Sequence, residues 1–572
     1  MTTRIDPAEL AIANALFASV AEEMGVALGR SAHSPNIKER RDYSCAVFDP
    51  RGRLVAQAAH IPVHLGAMPT AVEAALLSVR AEPRRGPSHQ RTKARVEGFA
   101  PGDIVILNDP YLGGTHLPDI TMVSPVFRTD TYDRGAAARP TRASGQAEQA
   151  RPGTLIGFVA SRAHHADVGG ISPGSMPLAE ELIQEGVVIP PIKLYEAGRL
   201  NRAVLDLLLR NMRAPDERRG DLDAQIAAQR TGEERLRQIV DRYGPRRAAR
   251  LMRELMGYAE RMTRAALSAV PEGEYEFEDY LDDDGVSEDS VPIHVRLTVR
   301  DGGIHCDFSG SAPERPSSIN AVAAVTRSAV YYVVRCLLEA LIADGDTVPA
   351  NDGCFRPVTF TLPERSVVNA GPPRAVAAGN VETSQRIVDA VLGALAQALP
   401  ALIPAASSGT MNNITIGGHD PERRSEFAYY ETIGGGAGAS RHRDGLDAVH
   451  THMTNTMNTP AEALEMTYPF RLIEYAVRRG SGGQGRHRGG DGIIRTYELL
   501  APAAVTLLTE RRRLAPWPLA GGGPGEPGRN LLSRAGDGGA RNDAPLPSKV
   551  QLKLKAGDRL TIETPGGAGW GG

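Results

Sequence analysis

Cysteine is scarce in this 572-residue chain: Cys45, Cys306, Cys336 and Cys354 stand far apart with no CxxC pair. That argues against a thiolate metal site, a dithiol redox motif or a disulfide framework, and favours a reducing compartment. Lysine is nearly as rare. Only Lys38, Lys93, Lys193, Lys549, Lys553 and Lys555 occur, so almost all positive charge is arginine. No lysine follows a glycine and no G-x-x-x-x-G-K-[ST] stretch exists, which excludes a Walker-type phosphate cradle; ATP chemistry, if any, lies elsewhere. Neither sign of charge dominates: Lys+Arg 65 against Asp+Glu 68 leaves a net charge of -3, with no electrostatic footprint for nucleic acid or an anionic membrane. No apolar run approaches the roughly 18 residues that span a bilayer. Met1 to Leu10 lacks the basic and apolar regions of a signal peptide, so a soluble cytoplasmic protein is expected.

What is present predicts a mixed α/β (α+β) protein of more than one lobe, since the length exceeds what one core supports. Ile12, Leu16, Val20 and Met24, widened by Phe17 and Leu28, predict a core-facing helix after Asp6. Tyr43 to Val55, broken at Asp49-Pro50-Arg51-Gly52, reads as a hairpin. The runs Ile104–Leu107, Ile120–Phe127 and Leu155–Ala160 are short enough to be buried strands. Arg84 to Arg95 and Thr129 to Pro152 read as inserted surface loops. Ala203 to Val270, dense in Arg and Glu, predicts two surface helices. The texture then turns β-rich, with helices expected at Ala321–Ile342 and Val381–Leu399 and strands alternating through Val550, Leu552, Leu554, Leu560 and Ile562. The expected organisation is an N-terminal metal-bearing lobe, residues 1–270, and a β-rich C-terminal lobe, 271–572, interrupted by two long helices.

The strongest chemical signal is Asn108-Asp109-Pro110-Tyr111-Leu112-Gly113-Gly114-Thr115-His116-Leu117-Pro118-Asp119, followed by Arg162-Ala163-His164-His165-Ala166-Asp167-Val168-Gly169-Gly170. A His and an Asp three apart, held in a loop by Gly and Pro, can both reach one hard or borderline cation. An imidazole from the second loop completes a mixed N/O site suited to Mn(II), Zn(II) or Fe(II). The competing view is that these side chains cap turns or sit hydrogen-bonded in the core. Asp42 is a further candidate carboxylate ligand, and His60 or His64 a candidate substrate contact. Cys45 reads as a buried small hydrophobe rather than a nucleophile.

Several glycine motifs are mimics. Gly523-Pro524-Gly525-Glu526-Pro527-Gly528 and Gly480-Ser481-Gly482-Gly483-Gln484-Gly485 match G-x-G-x-x-G without an evident strand before and helix after, and read as turns. Gly434-Gly435-Gly436-Ala437-Gly438 permits close backbone approach to a ligand or partner. Gly170-Ile171-Ser172-Pro173-Gly174 matches G-x-S-x-G, but Pro173 has no N–H to offer an oxyanion hole.

The chain resembles the hydantoinase B / 5-oxoprolinase family over essentially its whole length. The resemblance is carried by Ser34-Pro35-Asn36-Ile37-Lys38-Glu39-Arg40 running into Asp42-Tyr43-Ser44-Cys45, by Ala59-His60-Ile61-Pro62-Val63-His64, and by the two His/Asp stretches above. Gly379-Asn380-Val381-Glu382-Thr383-Ser384-Gln385 and Arg486-His487-Arg488-Gly489-Gly490-Asp491-Gly492 complete it. It implies a hydantoinase A-type partner subunit with an actin-like fold that binds ATP and phosphorylates the substrate's amide or carbonyl oxygen. This chain then acts on the activated small cyclic amide: hydantoin, N-methylhydantoin or 5-oxoproline. It also implies a divalent transition metal held by Asp42, His116, Asp119 and His164, with either Asp42 or Asp119 as the direct carboxylate ligand. His165 and the Gln184-Glu185 region lie nearby, Gln184 and Glu185 as substrate contacts. His165 or Asp167 is implied as acceptor of the attacking water's proton. Two rivals remain at this point: a subunit of an acetone- or acetophenone-type carboxylase, which shares partner and metal, and a non-catalytic scaffold for the ATP-binding subunit.

Overall fold

The computed structural model describes residues 6–58, 60–79, 98–128, 153–342, 347–535 and 543–572. The two segments expected as inserted loops, Arg84 to Arg95 and Thr129 to Pro152, lie outside the described residues. The first lobe is built on a seven-stranded sheet of order β2-β1-β5-β4-β3-β6-β7, with β1 Tyr43–Phe48, β2 Leu54–Gln57, β3 Ile104–Leu107, β4 Asp119–Arg128, β5 Thr154–His164, β6 Ile192–Glu196 and β7 Arg199–Leu200. Every pairing in it is antiparallel. Successive side chains of β1 point to opposite faces. Cys45 and Val47 enter a core with helix α1 (Pro7–Ser31), whereas Ala46 and Phe48 pack beneath α3 (Ala67–Ser78). Helices thus cover both faces, and for this reason the strands read as continuous apolar runs rather than alternating ones.

Asp6 caps α1 by accepting from Ala8 N, and Pro7 opens the helix with its fixed φ. The buried stripe is Ala13, Phe17, Val20, Ala21, Met24 and Leu28, while Ile12 is exposed, so the face is turned one position from the predicted one. Small residues at 13 and 21 let the longer helix below approach closely. By length and composition α1 could also cross a membrane, with mean hydropathy 1.4 over its best window, contrary to the expectation that no such stretch exists. Here its apolar face is spent on the first-lobe core.

The stretch expected to form two surface helices forms three: α4 (Arg202–Asn211), α5 (Pro215–Tyr243) and α6 (Pro245–Leu267). Of these α5 lies across the sheet with Gln225 and Gln229 buried, donating to Ile120 O and Met122 O. Its charged residues hid that burial from the sequence pattern.

Beyond Val270 come a four-stranded sheet of order β11-β10-β9-β8 (β8 Gly273–Leu281, β9 Val291–Arg300, β10 Gly303–Asp307, β11 Val358–Thr361) and the helices that cover it, α7 (Ala323–Leu341) and α9 (Ser384–Ala398). The short helix α8 (Asp352–Phe355) precedes β11. A π-helical turn, Gly379–Thr383, leads into α9. Two further sheets stack face to face over one aromatic-rich core. One has order β13-β12-β16-β19 (β12 Asn413–Asp420, β13 Ser425–Glu431, β16 Ala503–Leu508, β19 Lys549–Leu554). The other has order β14-β15-β20-β17-β18 (β14 Phe470–Arg478, β15 Gly492–Leu499, β17 Arg529–Ser533, β18 Asp543–Leu546, β20 Arg559–Glu563). The largest apolar cluster runs from Ile61 to Leu508 and crosses residue 270 without a break.

The glycine-rich segments pack on one another. A Cβ on Gly436 would fall 1.9 Å from Gly490 O, and one on Gly525 would fall 2.4 Å from Gly566 O. The close approach that Gly434–Gly438 permits is therefore to the chain's own backbone, and both G-x-G-x-x-G mimics belong to the same layer.

One carboxylate ties the two halves. Glu185, buried behind the sheet, accepts from Val376 N and Ala377 N at 2.8 Å each, while its Oε2 has no partner. Burial, only partly offset by these two bonds, pushes its carboxyl up to about 8. A carboxyl raised in the folded state costs nothing while both states are protonated, below about pH 4.5. Stability is lost progressively as pH rises from there to the folded value. Glu185→Gln is accordingly expected to gain in melting temperature relative to wild type between pH 5 and pH 8; a constant offset across that range counts against this assignment.

Candidate metal centre

The site forms where three neighbouring strands end together. Asp119 pairs directly with His164 in the β4–β5 ladder, and Tyr43 pairs with Ala163 in the β1–β5 ladder. This places Asp42, one residue before β1, beside His164, whose N–H donates to Asp42 O at 3.0 Å. Arg41 takes a left-handed φ of 57°, which makes the tight turn that swings Asp42 onto the strand. The motif before it wraps the same strand end: Asn36 Nδ2 donates to His164 O at 2.6 Å, and Asp42 N donates to Asn36 O at 3.2 Å. His116 is brought in by the loop preceding β4, closed by Asp119 N donating to His116 O.

Three donor atoms converge. His116 Nε2 and His164 Nδ1 are 3.1 Å apart, and Asp119 Oδ1 lies 3.2 Å from each. A cation bound at about 2.0–2.1 Å spaces its ligands about 3.0–3.4 Å apart in octahedral or tetrahedral geometry, so the triangle fits a transition-metal ion. All three side chains are buried, and they form a group within 4.8 Å that could hold a metal ion. Burial alone raises the Asp119 carboxyl, but the charges of His116 and His64 and hydrogen bonds from His116 and His164 outweigh it and hold it well below the usual range. Burial lowers His164. A neutral imidazole and an ionised carboxylate are the protonation states that cation binding requires.

The surroundings fix these groups. Asp119 Oδ2 accepts from Thr115 Oγ1 at 2.5 Å, and His64 Nε2 lies 3.4 Å from the same oxygen. His64 Nδ1 is held by Ser44 Oγ at 2.8 Å, leaving Nε2 without a hydrogen bond. The far nitrogens His116 Nδ1 and His164 Nε2 are also unbonded, so packing orients these rings. His164 stacks on Tyr430 at 4.2 Å, and the Arg40 guanidinium lies 5.0 Å from the centroid of the same ring. Arg40 is fully buried and donates to Asn36 Oδ1, Tyr430 O, Thr432 Oγ1, Thr456 Oγ1 and Met457 O, joining the motif of the first lobe to β13.

A small pocket opens on the cluster, lined by Asp42, Ile61, Val63, His64, Asp119 and His164 from the first lobe and by Asn380, Val381, Met411, Tyr430, Thr432, Met453 and Thr454 from beyond residue 270. Asp42 therefore faces the site without belonging to the three-atom triangle, and Asp119 is the carboxylate at its centre. Of the two histidines expected as substrate contacts, His64 lies at the cluster. His60 accepts from Cys45 N through Nδ1, packs edge-on against Tyr43, and is lowered to about 4 by burial and then by His64; it does not line the pocket.

Four other expected residues point elsewhere. His165, next after His164 along the chain, faces α5, with Nε2 at 2.9 Å from Gln225 Oε1; burial lowers it to about 4. Asp167 accepts from Gly169 N, Gly174 N, Arg213 N and Arg213 Nη1, so both oxygens are occupied in shaping the Gly169–Ser175 loop. Gln184 Oε1 caps its own turn by accepting from Glu180 N and Glu181 N. Glu185 anchors Val376 and Ala377 and is absent from the pocket lining. Cys45 is buried and its thiol is pushed far up by desolvation, as a structural cysteine is.

Sequence reasoning misses the second half of the pocket. Tyr430 lies mid-strand with no local motif. Asn380 sits in a segment that marks the family without marking a role; its signal is the run of polar residues at 380 and 382–386 opening an apolar helix, all of them buried.

The comparisons agree with this architecture. 5-oxoprolinase 1 of Arabidopsis thaliana is 38% identical over 595 residues, covering 99% of this chain but 42% of that protein, so the chain spans about two fifths of its length. A D-/L-hydantoinase subunit of Pseudomonas sp. (strain NS671) is 30% identical, over 99% of this chain and 90% of its own. The crystal structure of an ATP-dependent caprolactamase from Pseudomonas jessenii superposes with a TM-score of 0.84 at 28% identity, covering 100% of this chain and 92% of that one. With the family Hydantoinase B/oxoprolinase matching residues 6–572, this chain belongs to that family.

Proposed function

We propose that this chain is the metal-bearing part of a cytoplasmic, ATP-dependent cyclic amide hydrolase that opens a lactam or hydantoin ring after a separate ATP-binding subunit has activated it. The observation that carries the reading is the triangle of His116 Nε2, His164 Nδ1 and Asp119 Oδ1, 3.1–3.2 Å on a side, at the floor of a closed pocket. A scaffold has no use for three buried, convergent ligands at cation spacing, each costly to desolvate without a partner. The partner is supported by the missing phosphate cradle, by the subunit nature of the hydantoinase relative, and by the two-fifths share of the 5-oxoprolinase that this chain matches.

Amides resist hydrolysis because nitrogen delocalisation quenches the carbonyl; phosphorylation of its oxygen removes that protection. A divalent cation at the triangle would supply Lewis-acid polarisation and water activation near neutral pH. The chain's own groups do the rest. His116, Asp119 and His164 fix the cation, and Asp42 faces the same pocket as a further carboxylate. His64, held by Ser44, presents an unbonded Nε2 to the pocket and is the imidazole available to take a proton from the attacking water. This assignment replaces His165 and Asp167, whose polar atoms face α5 and the Gly169–Ser175 loop. Tyr430, Thr432, Val381 and Met453 close the pocket and limit competing solvent.

Metal analysis tests the first element. Purified wild-type protein is expected to carry about one transition-metal ion per chain, and His164→Ala to lose it while remaining folded by circular dichroism. Loss of cation chemistry worth several kcal/mol is expected to lower ATP-dependent turnover on the order of 10²–10³-fold. Substrate tests the second: with the ATP-binding partner present, ATP hydrolysis should couple to ring opening of 5-oxoproline, hydantoin or ε-caprolactam. Coupling only to acetone with bicarbonate would assign the chain to a carboxylase instead.

A further inference from the structure

We propose that Asn380 reads the scissile amide, its carboxamide oxygen accepting the ring N–H, so that the pocket takes secondary cyclic amides and rejects ketones and N-alkylated amides. The inference rests on the hydrolase reading above and narrows its substrate class. Asn380 is 4% exposed, lines the pocket with Asp42, Asp119 and His164, and carries an Oδ1 with no hydrogen-bond partner. An unpaired buried carbonyl costs about 1–3 kcal/mol, a cost that a ligand donor would relieve.

The other polar side chains on that wall are already committed. Tyr430 donates its hydroxyl to Asn413 Oδ1 at 2.9 Å, Thr432 Oγ1 accepts from Arg40, and Thr454 Oγ1 pairs with Thr456 Oγ1 at 3.3 Å. Asn380 is the one with an unspent acceptor among the described lining residues of the second half.

The backbone holds it there. The π-helical turn can lie against Asn320 because residue 379 is glycine; a Cβ would fall 1.8 Å from Asn320 O. Upstream, Glu185 pins Val376 and Ala377. Downstream, Glu382 Oε1 accepts from Met411 N at 3.1 Å and from Asn413 Nδ2 at 2.7 Å. Clamped on both sides, the turn cannot release Asn380 to solvent, and such insertions in helices recur where a side chain must be re-aimed.

The chemistry of the ligand matches. A small-ring amide is locked cis, so C=O and N–H lie on one edge. With its oxygen directed to the cation triangle, the N–H meets the adjoining wall, and Val381, Met411 and Met453 there suit the ring's hydrocarbon part. A ketone has no N–H to offer, and an N-methyl group would leave Oδ1 unpaired against a carbon.

The test compares kcat/KM, in the metal-loaded complex with the ATP-binding partner, for hydantoin, 5-oxoproline and ε-caprolactam and for each methylated at the nitrogen of the scissile amide. Wild type is expected to prefer the N–H form on the order of 100-fold, because a site built to bond a donor rejects the analogue lacking it. Asn380→Leu, or Asn380→Ala if the leucine variant does not accumulate, should erase most of that preference by losing rate on the N–H substrates alone. Asn380→Asp, which keeps the acceptor, should retain it. An unchanged preference in the leucine or alanine variant, at wild-type metal content and melting temperature, overturns the role of Asn380 and leaves the hydrolase reading standing. Failure of wild type to open any of the three rings with ATP overturns both.

Discussion

The cross-strand pairing of Asp119 with His164 governs everything that follows in the site, because a β-ladder sets side-chain position to a fraction of a strand spacing and a one-residue slip reverses every face. With β1 adding Asp42 on the other side of His164, three strand ends deliver three candidate ligand residues in a row. His116 needs only the short loop before β4 to join them. The register is protected on both sides by packing: α1 and α5 fill one face, α3 the other, and slippage would drive Ala46, Phe48, Cys45 and Val47 each into the wrong core.

Polar groups buried this deeply must be paired or serve a ligand, and the structure divides them cleanly. Arg40, Asp167, Gln225 and Glu185 bond to backbone groups across the fold and act as struts. His64 Nε2, Asp119 Oδ1 and Asn380 Oδ1 are buried and unspent, and all three belong to residues lining one pocket. The division separates supporting residues from those available for chemistry, although sequence proximity mixes them: His164 and His165 are adjacent, yet one meets the cluster and the other meets α5.

The first half supplies ligands and the second half supplies the wall. Arg40 bonds across to Tyr430 O, Thr432 and Thr456, and Glu185 bonds across to Val376 and Ala377. The ligand-bearing sheet and the pocket's far side are thereby locked in one arrangement, consistent with an apolar core continuous through residue 270. Farther from the pocket, Arg386, Arg511, Asp279 and Asp389 form a buried ion cluster that ties α9 to β8 and to the end of β16. Such clusters add orientation more than stability, since desolvation consumes most of the Coulomb gain.

Residue order alone was enough to recognise the two His/Asp loops, the hairpin at Tyr43, the short strands and the absence of a phosphate cradle, because each depends on local turn chemistry or on apolar runs within a few residues. It also carried the family resemblance. Only the tertiary structure decided that Asp119 sits at the centre of the triangle, that His64 rather than His60 reaches the pocket, that His165, Asp167, Gln184 and Glu185 face away, and that Tyr430 and Asn380 come in from hundreds of residues downstream. The physical reason is the same in each case. Which atom of a polar side chain is left unbonded depends on partners distant in sequence, and those partners are assigned by strand register and lobe packing, which no local pattern encodes.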